Sequence, residues 1–279
     1  MVFVIMANSI EAPSGYVGSL TPAEQEKLLQ FWRILIQSWD PTLRSPDSSR
    51  SPSVSSPSGK SHRRLFSFSR AQAPATEEET ASIPPNLLSS LKALDATPAE
   101  LKSVSALLSK LPGEKLRAAY LTILKQDHPD AFVLRFIRAE KWNLPKAWIK
   151  LVAALHWRVN EYRVDEEVLL KGEGYAIEKA RQTEDSTEKK DGEGFILQAQ
   201  IGKGYFHGCD RLGRPLVVVR SRTHEPGAQT QKGLNDYIIH CIETGRILQV
   251  FPVESLVSIL GYSGLMSFFA GLGKANLCV

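Results

Sequence analysis

Apolar residues recur at helical spacing as far as Val159, and from Tyr205 onward they gather into short β-favouring runs. This change of period constrains the chain more than any other feature, because it requires a helical layer first and a sheet afterwards. In AWIKLVAALHWRV, the residues Ala147, Trp148, Leu151, Val152, Leu155 and Val159 hold one helical stripe. A turn at Lys141–Asn143 precedes it, and Pro145 suits a first helical turn. Pro129 marks the start of the helix before that turn. Further upstream, Thr97-Pro98-Ala99-Glu100 has the pattern of a capping box and predicts a helix to about Leu111, stopped by Pro112-Gly113. Another helix is expected from Glu114 to Lys125. Residues 86–165 are therefore expected to form a small all-helical bundle.

The same tetrapeptide, Thr21-Pro22-Ala23-Glu24, opens an earlier amphipathic helix with Leu28, Trp32, Leu35 and Trp39 on one face. That face suits the protein's own core, a membrane or a partner. Residues 1–39 form this N-terminal region, and residues 40–85 differ completely. Ser and Pro dominate there, as in RSPDSSRSPSVSSPSGK, and the segment cannot bury enough surface to offset its chain entropy. It is expected to be a disordered linker, either inert or regulated by phosphorylation.

Beyond the bundle, TEDSTEKKDGEG (residues 183–194) is expected to be a solvated charged loop. GYFHGCDRLGRPLVVVRSR then supplies two strands around a tight turn in which Gly213 can take positive φ, with Pro215 at a strand start. Residues 231–248 return to helix, with Leu234, Ile238, Cys241, Ile242, Gly245 and Leu248 on one stripe. VESLVSIL (residues 253–260) is expected to be a buried strand. Strand, helix and strand together indicate an α/β layer.

The chemistry of enzymes is not apparent in the sequence. The net charge of +4 points to no nucleic-acid partner, and the three cysteines (Cys209, Cys241, Cys278) have no metal-ligand spacing. His207 and Cys209 share a strand face, but two ligands make no zinc site. No carboxylate pair suits acid–base work, Gly261-Tyr262-Ser263-Gly264 is not a nucleophile elbow, and no cofactor is expected. The N-terminal apolar run has no basic residue before it, which fits a cytosolic protein.

LRFIRAEKWNLPKA (residues 134–147) resembles the helix–turn–helix that closes the N-terminal bundle of CRAL-TRIO lipid-transfer proteins. GCDRLGRPLVVVRSR is similar to that family's Asp-x-x-Gly-Arg-Pro hairpin, and IETGRIL before VESLVSIL fits its next elements. Within the family, the likeness is greatest to fungal phosphatidylinositol transfer proteins. The resemblance implies a helical bundle beside an α/β domain whose sheet floors a phospholipid pocket, and transient membrane contact without catalysis. It implies a lipid-binding set of Arg135, Arg138, Phe206, Val217, Val219, Tyr237, Cys241 and Ser258. Two departures leave the headgroup open: Glu140 replaces a family arginine, and Phe206 replaces a tyrosine of phosphatidylcholine binders.

The family domain is expected over residues 195–260, with its continuation absent. Residues 261–279 are expected to be a non-family apolar tail, as from a frameshift, so that a half-pocket would transfer lipid poorly. Two other readings stay open, an interaction module and a tail-anchored protein, because residues 255–273 carry no charge but are interrupted by glycines.

Overall fold

In the computed structural model, described residues are 14–40, 42, 83–182 and 184–261. The expected linker, apart from its boundary residues, and the tail beyond Gly261 lie outside them, as do Cys278 and the N-terminal apolar run. Six helices build the first layer: α1 (Pro22–Trp39), α2 (Pro85–Ala93), α3 (Pro98–Lys110), α4 (Gly113–Leu124), α5 (Pro129–Ala139) and α6 (Leu144–His156).

Both capping boxes form as the sequence predicts. The Thr21 amide donates to Glu24 Oε2 at 2.8 Å, and the Thr97 amide donates to Glu100 Oε2 at 2.7 Å. The apolar stripe of α1 lies in the same core as α2–α6, where Phe31, Leu35, Leu87, Leu116 and Trp148 are all fully buried. Although a long segment separates α1 from the bundle in sequence, its own core claims its face. Trp148 Nε1 donates to Ser38 Oγ at 2.9 Å, tying α6 to α1. The turn after α5 places Lys141 and Trp142 at positive φ, and Asn143 then caps α6.

The α6 stripe ends sooner than expected. A π-turn at Trp157–Glu161 rotates the backbone and leaves Val159 exposed. A second π-turn (Asp165–Leu169) leads to α7 (Gly172–Ala180) and α8 (Thr187–Gln200). The sequence predicted a charged loop where α8 runs, and this is a correction. Ser186 Oγ caps the helix by accepting from the Lys189 amide, and Gly192, Gly194, Phe195 and Gln198 are buried. The missing apolar stripe misled the reading, because α8 packs through glycine. A Cβ on Gly192 would lie 2.6 Å from the Ala176 carbonyl oxygen, so only glycine allows α7 and α8 to meet there.

The sheet has three strands in the order β1 (Gly204–Cys209), β2 (Pro215–Val219), β3 (Val257–Leu260). β1 and β2 form the predicted antiparallel hairpin, with Gly213 at φ +73°, and β3 joins β2 in parallel. The crossover between β2 and β3 contains α9 (Gln231–Leu248). Two expectations need correction. β3 is shorter than predicted, and Ser258, Ile259 and Leu260 are exposed rather than buried. On α9 the buried residues are Gly233, Tyr237, Ile239, Glu243 and Gly245, while Leu248 is exposed. The helix lies between sheet and bundle, so it buries two faces rather than one stripe.

Candidate functional site: a half-covered sheet face and an arginine seam

Partners in register share a face of a sheet, so Phe206, Val217 and Ser258 form one row across the three strands. Gly204, Val219 and Leu260 form the next row on the same side. α9 closes this face at the β1 edge. Tyr237 Oη donates to the Gly204 carbonyl at 2.6 Å, and Cys241 Sγ sits 4.0 Å from the same oxygen. Gly245 meets the Phe206 ring so closely that a Cβ there would lie 2.8 Å from Cζ. Cover declines across the sheet: Phe206 and Val217 are half-buried, whereas Ser258 and Leu260 are exposed. The result is an apolar floor, walled by α9 on one side and open on the other.

Six of the eight residues expected from the sequence therefore meet here: Phe206, Val217, Val219, Tyr237, Cys241 and Ser258. Burial pushes both the Tyr237 phenol and the Cys241 thiol up, so both stay neutral near pH 7. A neutral thiol is a poor nucleophile. Among the described residues no cluster of three or more His, Cys, Asp or Glu could hold a metal ion.

Arg135 and Arg138 lie elsewhere, in a seam where the bundle meets α9 and the loop 249–256. Arg138 Nη1 donates to the Gly15 carbonyl at 2.7 Å, and Nη2 reaches Glu254 Oε2 at 3.3 Å. Its guanidinium also lies 3.8 Å over the Tyr16 ring. Arg135 Nη2 donates to Asp127 Oδ1 at 3.2 Å, while Arg246 Nη2 takes the other oxygen at 2.8 Å. Both expected arginines thus hold the chain's own groups. Glu140, the acidic departure, pairs with Lys150 at 2.7 Å, so its charge is locally offset.

The sequence reading missed the centre of this seam. Arg158 donates through Nε and Nη2 to Asp165 at 2.9 and 3.0 Å, and through Nη1 and Nη2 to Glu243 at 2.7 and 3.0 Å. Burial pushes the Glu243 carboxyl up, but Arg158, Arg246 and Lys125 outweigh it and the net shift is downward. Glu254 is the opposite case, since burial prevails over Arg138 and its pKa is raised. A signal was present in the sequence, a lone arginine within an apolar helix and a Glu243/Arg246 pair one turn apart. Neither revealed its partner.

Comparison with known proteins agrees with this architecture. Residues 100–153 match the CRAL/TRIO N-terminal domain, and residues 199–272 match the CRAL/TRIO domain, past the boundary expected at Leu260. The chain is 29% identical over 268 residues to phosphatidylinositol transfer protein CSR1 of Eremothecium gossypii, covering 91% of this chain and 59% of that protein. It is 29% identical over 247 residues to the CRAL-TRIO domain-containing protein C3H8.02 of Schizosaccharomyces pombe, covering 87% of this chain and 52% of the relative. The chain thus spans little more than half the length of these curated relatives. The helical bundle and the sheet that follows it thus each contain a match, to the CRAL/TRIO N-terminal domain and to the CRAL/TRIO domain respectively.

Proposed function

We propose that this chain binds a phospholipid, phosphatidylinositol foremost, and carries it between membranes from the cytosol without catalysing a reaction. The observation that carries this reading is the sheet face of Phe206, Val217, Val219 and Ser258, apolar for the most part and walled by α9 on one side only. An acyl chain laid on such a floor gains about 0.8 kcal/mol for each methylene removed from water. The choice of phosphatidylinositol is supported by the relative whose name carries that activity.

Membrane contact has its own support. Ile247, Leu248, Val250 and Phe251 are consecutive or nearly so at the end of α9, and all are exposed. A cluster of this kind suits shallow insertion into lipid. No helix among the described residues is long and apolar enough to cross a membrane.

The test is to purify the chain, extract it and identify any lipid by mass spectrometry, then follow labelled phosphatidylinositol between vesicles. The expected result is co-purified phospholipid that Val217→Trp reduces severalfold. A folded monomer that neither carries nor accepts any phospholipid would sink the proposal.

A further inference from the structure

A cavity of about 270 Å³ lies between the bundle and α9, in the seam and apart from the sheet floor. Ile123, Phe132, Phe136, Ala154, Val164 and Ile242 supply apolar lining from α4, α5, α6, α9 and the segment between the π-turns. Its size falls just under the roughly 300–1,000 Å³ of drug-sized ligand sites. That leaves room for one apolar chain and not for a two-chain phospholipid.

Two observations, both involving Arg135, indicate the chemistry of the head of such a molecule. Arg135 lines the cavity, and its Nε–H is buried without an acceptor among the described residues. Buried donors are nearly always paired, so this one stands ready for an acceptor from outside the chain. The second observation is the charge of the seam. Lys125, Arg135, Arg158 and Arg246 surround Asp127, Asp165 and Glu243, leaving one cation in excess among the described residues. The neighbouring Arg138–Glu254 pair leaves that excess unchanged.

We propose that this cavity is a second binding site, for a single-chain amphiphile bearing one negative charge, such as a fatty acid. Its carboxylate accepts from Arg135 Nε, and its chain runs between α5, α6 and α9. Such a ligand would touch the bundle and the crossover helix at once, so binding would draw the two layers together.

The test uses the full chain and dodecanoate below its micellar concentration, with binding measured by calorimetry. The expected result is one dodecanoate per chain, bound at least about tenfold more tightly than dodecanol, the size of one charge-assisted hydrogen bond. Dodecyltrimethylammonium should bind more weakly still. Arg135→Lys keeps the charge but removes Nε, and should weaken dodecanoate about tenfold. Ala154→Phe should abolish binding by filling the cavity.

Placement is read separately, without relying on the folding of a filled cavity. Brominated dodecanoate should quench Trp157, which lines the site, and the quenched fraction should vanish in Trp157→Phe. Val217→Trp on the sheet floor should leave dodecanoate affinity unchanged. The inference is overturned if dodecanoate does not bind, if dodecanol binds equally well, if quenching persists in Trp157→Phe, or if Val217→Trp removes dodecanoate.

Discussion

The bundle and the sheet solve the burial problem in different ways. In the bundle, α1–α6 enclose a core in which Phe31, Leu35, Trp148 and Leu151 are fully buried. In the sheet, Val217, Val218 and Val219 are half-buried, and Tyr205, Ile259 and Leu260 are exposed. A close-packed core gives a rigid base, whereas an apolar face left partly open is a place where something else can bind. The contrast separates a half that buries its apolar side chains from a half that leaves part of an apolar face exposed.

The largest expected effect comes from attacking the scaffold. Trp148→Ala should destabilise by about 3–5 kcal/mol, because it removes a fully buried indole and its bond to Ser38. Urea unfolding by circular dichroism measures this. If the sheet melts with the bundle in one transition, the two halves are one cooperative unit; two transitions would separate them.

The seam sets how strongly one half depends on the other. Glu243→Gln should cost about 3 kcal/mol, since Arg158 is buried and loses one of its two carboxylates. The pH dependence has a definite sign. The folded-state pKa of Glu243 lies below its unfolded value, so its contribution is present above the unfolded pKa and lost as pH falls through the folded one. Glu254, with a raised pKa, has the opposite sign and contributes more as it becomes protonated. Stability curves from pH 3 to 7 should therefore flatten at the acidic end in Glu243→Gln and steepen slightly in Glu254→Gln.

A smaller change sharpens the comparison from the other side. Gly192→Ala forces a Cβ to within 2.6 Å of the Ala176 carbonyl and should cost about 1–3 kcal/mol. Hydrogen exchange should rise in α7 and α8 while the amides of α1–α6 stay protected. The smallest effect is expected at a helix end within the scaffold. Thr97→Ala removes one half of a capping box and should cost about 1 kcal/mol, read as a shift in the urea midpoint.

Much of the molecule was determined by local chemistry and so could be read in the sequence. The capping boxes at Thr21 and Thr97, the start of α5 at Pro129, the turn at Lys141–Asn143 and the Gly213 turn depend on near neighbours. Periodicity likewise placed α1, α6 and α9, two β-favouring runs around a turn placed the hairpin, and the resemblance grouped six residues that the fold brings to one sheet face, whereas α2 was not foreseen. Tertiary structure alone decided the rest. α8 forms because Gly192 lets it lie against α7, which no apolar pattern announces. α9 buries two faces because it is held between two layers, so its own stripe could name only one of them. Arg158 finds Glu243 across 85 residues of chain, and Arg138 holds both Gly15 and Glu254, because a buried charge takes its partner from whatever the fold brings near. Spacing along a sequence records neighbours along the chain, and these partners are neighbours only in space.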